Sequence, residues 1–140
     1  MTDYASISNE ELRRVIAERL GYAVVYHTSA VAWHLFDPAG VRIEHPKSLV
    51  EEDAWGYTPN WPEDLNAAFS LISNFFNLHL EIITREDQNG VQRMWRCVYG
   101  MTNDSREGYS LFEYPARAVC LAWLAWSDAH AAPGDGTMEA

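Results

Sequence analysis

Apolar positions recur along the chain with two different periods. Leu12, Val15, Ile16 and Leu20 fall at helical spacing after Ser8 and Glu11, residues that cap a helix start reciprocally, and Gly21 is a natural stop. The pattern predicts a short amphipathic helix whose exposed side carries Arg13, Arg14, Glu18 and Arg19. Residues 1–7 read as a loose start. Residues 22–28 and 31–36 are rich in β-branched and aromatic side chains, which suit strands. The turn signal Asp37-Pro38-Ala39-Gly40 then leads into a return strand at 41–44, and residues 46–61 read as a long connection.

Pro62 suits the first turn of a second helix, and Leu65, Ala68, Phe69, Ile72 and Phe75 form one apolar face after it. Residues 78–84 and 91–99 read as an antiparallel hairpin about the polar turn 86–90, where Asn89-Gly90 favours positive φ. Residues 100–108 read as a polar loop, with a brief extended piece at 109–112. Pro115 opens a last helix that is apolar nearly all round, through Ala118, Val119, Ala122, Trp123 and Trp126. Helices separated by antiparallel strands predict an α+β fold, a layered α/β/α sandwich in the order helix, three strands, helix, two strands, helix. Residues 1–132 are expected to form a single domain and the Gly-rich 133–140 a disordered tail. Leu65, Phe69, Val119 and Trp123 are the expected core, so Trp123→Ala is expected to cost about 3–5 kcal/mol if fully buried. The final helix has more apolar surface than one sheet face covers, which predicts a homo-oligomer.

Charge and composition narrow the partners. Of 140 residues, 48% are hydrophobic, and six Trp, seven Tyr and five Phe supply large buried areas or flat ligand surfaces. Twenty acidic residues against ten basic ones give a net charge of −10, which argues against direct nucleic-acid binding. The acidic surface is either plainly solvated or imitates nucleic acid towards a basic partner. Between Ser48 and Thr84 there are six acids and no base, and nine of the ten basic residues are Arg, the better bidentate partner. Cys97 and Cys120 sit in apolar patterns and read as reduced core residues. The start of the chain is polar, and no apolar run approaches the ~20 residues that span a bilayer, so the expected setting is the cytoplasm, away from membranes.

Specific catalytic signatures are absent: there is no glycine-rich phosphate loop, paired-His helix, Gly-x-Ser-x-Gly turn or zinc-like cysteine pair. No enzyme activity, cofactor or metal is expected. His79 and Glu81 share a strand face, but two ligands fall short of the three or four a metal needs. Glu51, Glu52 and Asp53 read as an acidic loop. Two readings compete for the aromatic stretch around Trp55, Tyr57, Asn60 and Trp61. In one, Asn60 caps the next helix, Glu63 returns the cap and Trp61 staples its start. In the other, the aromatic rings wall an anion site at that helix N-terminus. Arg93 and Trp95 fall on one face of the 91–99 strand and Arg96 on the other, with Arg106 and Tyr109 beyond. Arg near aromatics is either ordinary surface charge or the means of holding a phosphate and stacking on a base.

Several of these segments together resemble the phage ABA sandwich domain family. They are the capped opening helix, Asp37-Pro38-Ala39-Gly40, Asp53-Ala54-Trp55, the run from Pro59 to Ala68 and the closing run from Pro115 to Leu124. The resemblance covers roughly residues 8–130, and it departs in the loops at Tyr57-Thr58 and Trp61-Pro62. It implies a phage or prophage accessory protein in an infected bacterial cell, with no activity attached. A more distant similarity of architecture is to the Thoeris anti-defence proteins, which sequester cyclic nucleotide immune signals. The leading expectation is therefore a non-enzymatic sponge for a small cyclic nucleotide, with a local basic pocket because the rest of the protein is acidic. The alternatives are an acidic inhibitor that covers a basic groove on a host defence protein, and a phage structural or replication accessory.

Overall fold

The computed structural model describes residues 4–72 and 76–130, apart from the side chain of Asp87. Phe75 and the expected tail at 133–140 lie outside the described residues. The α+β class is as expected, built from two three-stranded antiparallel sheets. The chain divides into two compact units, one formed by Ile7–Asn60 and the other by residues 4–6 with 61–130.

The first unit opens with α1 (Asn9–Leu20), capped as the sequence predicts. Ser8 Oγ accepts from the Glu11 N–H at 3.1 Å, and its hydroxyl faces Glu11 Oε1 at 3.3 Å. Gly21 closes the helix at φ 106°, a conformation that a Cβ would disfavour. Strands β1 (Ala23–His27), β2 (Ala32–Phe36) and β3 (Arg42–Ser48) follow as a meander. Asp37 Oδ1 accepts from the Ala39 and Val41 N–H groups, both at 2.9 Å, which fixes the β2–β3 turn. Leu12, Ile16 and Leu35 are fully buried. The acidic run is not a loop: it forms α2 (Glu51–Trp55), with Glu51, Glu52 and Asp53 in the first turn, where the helix dipole favours negative charge. Consecutive acids carry no apolar period, so this helix leaves no trace in hydrophobic spacing.

The second unit starts with a shorter helix than expected. Helix α3 spans Leu65–Phe69, and its cap is Asp64, whose carboxylate accepts from the Asn66 and Ala67 N–H groups. Asn60 and Pro62 therefore lie ahead of the helix rather than in its cap and first turn. Strands β4 (Asn77–Asp87), β5 (Gly90–Met101) and β6 (Asp104–Leu111) form the second sheet, and α4 (Pro115–Ala129) packs on it. The polar stretch 100–108 was expected to be a loop. It is instead mostly strand, because Gly100 pairs with Ser105 and Arg106 with Tyr99 across a tight turn. Polarity misled because Ser105 and Glu107 are both exposed in the strand.

Helix α4 meets the sheet at two glycines. A Cβ on Gly108 would run into Ala118 O and Ala122 N of the helix backbone and stand 2.9 Å from Leu121 Cβ. A Cβ on Gly100 would stand 2.8 Å from the Trp126 ring. Cys97, Val119 and Cys120 are fully buried there, and burial pushes the Cys97 thiol up to about 12 and raises that of Cys120 too. Both cysteines are free thiols, as expected. The expected core needs three corrections. Phe69 is 39% exposed, because α3 ends at that residue, and Trp123 is only half-buried, as is Leu65. Leu121 and Leu124 are buried, so the apolar excess expected of the last helix is largely absorbed within the chain.

Gly108→Ala should therefore destabilise the protein by about 1–3 kcal/mol or more, since a well-packed contact has no room for an added carbon. Trp123→Ala should cost less than that seat. Chemical denaturation of both variants checks the order, and a Gly108→Ala midpoint equal to that of the parent would reject the close approach.

Candidate functional site

The nine sequence-predicted site residues are divided between the two units. Trp55, Tyr57 and Asn60 belong to the first unit and Trp61 to the second. Trp55 is 7% exposed and Trp61 2%, so neither offers a ring face to a ligand. The Trp55 indole N–H donates to Glu51 Oε2 at 3.1 Å, and the Arg14 guanidinium lies 4.9 Å above its ring. The amides that would open an anion site at α3 are already taken by the Asp64 carboxylate. Tyr57 is exposed, and its ring stacks on His45 at 4.7 Å.

In the second unit the register separates the arginines. Arg93 lies 4.5 Å over Phe112, whose ring also stacks on Trp95, and the Trp95 indole donates to Phe112 O at 2.7 Å. Arg96 points to the opposite sheet face, between Glu81 on β4 (2.6 Å) and Glu107 on β6. Tyr109 donates to Glu107 at 3.0 Å, and Arg85 covers its ring. Arg106 is not aimed by a loop: it sits in β6 and pairs with Asp104 at 2.5 Å, which also faces His130 at 2.9 Å. Arg96 and Arg106 are thus committed to carboxylates. His79 and Glu81 stand 3.1 Å apart, with the other Glu81 oxygen on Arg96, and no group of three metal-ligating side chains exists among the described residues.

A different constellation has the charge that an anion site needs. Between Arg19 and Arg85 the only basic residues are Arg42 and Lys47. Both line a cavity of about 200 Å³ in the first unit, together with Trp33, His34 and His45, and no carboxylate lines it. A bulge creates it. Leu35 pairs with Ile43 and Trp33 with Ser48, so His34 alone opposes the four residues Glu44, His45, Pro46 and Lys47. Bulges re-aim side chains, and Pro46 suits one because it has no N–H to give a ladder. Strand β3 thereby continues past Pro46, where the sequence pattern had ended it.

Each histidine is held. His45 Nδ1 lies 2.7 Å from Pro46 O, and a carbonyl only accepts, so Nδ1 carries a hydrogen, which in the neutral ring leaves the lone pair on Nε2. The Tyr57 ring fixes the imidazole plane. His34 lies against His27 at a tilt, with ring centroids 4.4 Å apart. Burial, then the positive Arg42 and the neighbouring His27 and His45, lower the His34 pKa from its usual value, against Glu44. Arg42 reaches only Glu44, at 3.7 Å and with both side chains exposed, and Lys47 makes no ion pair among the described residues. Beside this pocket, Val31 adopts φ 50°, which is costly for a β-branched residue. Arg13 on α1 anchors the loop that carries Tyr57, donating to Gly56 O at 2.8 Å, Pro59 O at 3.1 Å, Thr58 Oγ1 at 3.1 Å and Thr58 O.

Sequence reading missed Arg42, Lys47, His34 and His45. The usable signal was the isolation of two cations and three histidines, His27 among them, in an otherwise acidic stretch. Comparison with family models, with curated proteins and with solved structures finds no match for this chain.

The Arg96 network carries a pH prediction. Hydrogen bonds from Arg96 hold the Glu81 and Glu107 carboxyls below their usual pKa, with His79 and Tyr109 helping respectively. Folded values below unfolded ones contribute stability that is present above the ordinary carboxylate range, about pH 4, and is lost as pH falls through the folded values. Arg96→Gln should lower the urea midpoint at neutral pH and flatten its decline in acid. An acid decline as steep as that of the parent would show that these pairs are not the cause.

Proposed function

We propose that this protein is a non-enzymatic binder of a small phosphate-bearing nucleotide, held at the β2–β3 pocket, and that sequestering such a signal counters host defence in the cytoplasm of an infected bacterium. The carrying observation is the pocket lined by Arg42, Lys47, His34, His45 and Trp33 in a protein of net charge −10. An acidic protein that takes up an anion needs its cations concentrated, unpaired and free of neighbouring carboxylates. Lys47 meets that condition, and Arg42 gives up only a weak solvent-exposed contact to meet it. Trp33 supplies an aromatic edge for a sugar or base. The buried, raised thiols of Cys97 and Cys120 are poor nucleophiles. At about 200 Å³ the pocket suits one phosphate and its sugar.

A second reading has its own observation. The groove between α1 and α2, about 310 Å³, is lined by Glu10, Glu11, Glu52, Arg13, Arg14, Trp55 and Gly56. Both arginines are engaged within the unit, whereas Glu10 and Glu52 have no described partner. That surface fits a basic side chain of a host protein and supports the acidic-inhibitor alternative.

Calorimetry with nucleoside monophosphates, cyclic di- and trinucleotides and cyclic ADP-ribose isomers tests the first reading. Arg42→Ala and Lys47→Ala should each weaken binding roughly 10- to 150-fold, the loss of a charge-assisted contact worth about 1.5–3 kcal/mol, with the melting temperature of the free protein nearly unchanged. If the parent binds none of these at tens of micromolar, the pocket reading fails and the acidic inhibitor takes its place.

A further inference from the structure

Resting on the pocket reading, we infer that the β2–β3 site is built for a terminal phosphate, a phosphomonoester, in preference to a cyclic phosphodiester. Three features of the pocket point there. Its volume, about 200 Å³, matches a phosphate with part of its sugar, whereas a cyclic dinucleotide carries two phosphates and two bases through one ring. Its two cations, Arg42 and Lys47, can balance two negative charges on one phosphorus centre. A diester phosphate brings only one charge, while a monoester brings about 1.5 to 2 near neutral pH.

The third feature is the orientation of His45. Its Nδ1–H is turned to Pro46 O at 2.7 Å, and the stack on Tyr57 keeps the ring from turning over freely. The other nitrogen of this pocket-lining ring is Nε2, which in the neutral tautomer carries a lone pair. A lone pair facing a phosphate oxygen repels it unless a proton lies between them. A phosphomonoester ionises for the second time at about pH 6, in the range of an imidazole, so one proton can be shared between Nε2 and a terminal oxygen. A diester has no such ionisation, so all of the proton's cost falls on the imidazole, and its single charge gives less in return.

The groups facing the two imidazoles set the direction of the pH effect. Around His34 these are His27 from β1 and Arg42, Glu44 and His45 from β3. Around His45 they are His34, Tyr57 and Ser48, with Lys47 lining the same pocket. At His34, burial and then the positive neighbours outweigh Glu44, so that imidazole is held below its usual pKa in the free protein. A dianion reverses that balance, and binding takes a proton up. Affinity for a phosphomonoester therefore rises as pH falls towards the imidazole range, by up to tenfold per pH unit for each proton taken up.

The test uses the full chain and three probes: adenosine 5′-monophosphate, 3′,5′-cyclic adenosine monophosphate and cyclic di-adenosine monophosphate. Each is titrated by calorimetry at about pH 8 and about pH 6.5, in two buffers of different ionisation enthalpy, so that proton uptake is read directly. The expected result is at least tenfold tighter binding of the 5′-monophosphate than of either cyclic probe, with net proton uptake. In His45→Gln, whose amide supplies its own donor, both the uptake and the gap between probes should shrink, and a thermal melt confirms that the variant folds. Equal affinity for the monoester and cyclic probes, or monoester binding without proton uptake, overturns this inference and leaves the pocket standing. Failure of all three probes to bind the parent removes the pocket reading and this inference with it.

Discussion

At Gly108 no side chain separates strand β6 from the backbone of α4. Ala118 O and Ala122 N of the helix occupy the volume that any Cβ there would need. Everything else in this unit is arranged around that approach. The helix presents Ala118 and Ala122 where it touches the strand, and Val119, Cys120 and Leu124 bury beside them. At the other end Gly100 admits the Trp126 ring, which packs against Tyr99 and Phe76 and stacks on His130 at 3.6 Å. Close backbone approach maximises dispersion contacts but tolerates no added volume, so the interface is tightly specified. It also explains why a helix so apolar needs little further cover.

The first unit is organised by a departure from regularity. Three extra residues in β3 opposite His34 break the ladder and turn His45 and Lys47 over the strand pair. A bulge of that size would be costly if it were unsupported. Pro46 removes one N–H from the accounting, His45 Nδ1 satisfies the Pro46 carbonyl, and Tyr57 packs on the imidazole. Tyr57 in turn depends on the loop that Arg13 pins from α1. A helix arginine thus positions, through two intermediates, a histidine at the pocket.

Much of the fold was legible because it obeys simple periods. The capped α1, the β1–β2 and β4–β5 hairpins and the Pro-initiated α4 follow from spacing, turn residues and caps. What was missed lacks such a signature. Helix α2 is announced by consecutive acids, β6 by exposed polar residues, and α3 stops after five residues although apolar spacing continues. The candidate site was less legible still. Arg93, Arg96 and Arg106 attracted notice by lying near aromatics in sequence, but cross-strand register decides what an arginine meets. For Arg96 those neighbours are Glu81 and Glu107, both distant in sequence. The bulge that gathers Arg42, Lys47, His34 and His45 is a property of strand pairing, and no local pattern encodes it.

The distribution of charge bears on how such a pocket would work. With a net charge of −10, the mean field repels any anion at long range. At about 0.15 M ionic strength that field fades beyond roughly 8 Å, so a local pair of cations can prevail once a ligand is close. Arg42 and Lys47 lie in a stretch whose other basic residues are absent, and Asp37 and Glu44 are the only acids between Gly21 and Leu49. Asp37 spends its carboxylate on the β2–β3 turn, and Glu44 points into solvent with 85% of its side chain exposed. Asp37 is therefore structurally occupied, and Glu44, the acid that reaches Arg42, is well hydrated. Long-range repulsion slows encounter with polyanions such as nucleic acid, whose many phosphates feel the whole surface. A small ligand with one phosphate group feels chiefly the pocket. If the pocket holds a nucleotide as proposed, the same charge pattern would discriminate by size, favouring a single nucleotide over a strand.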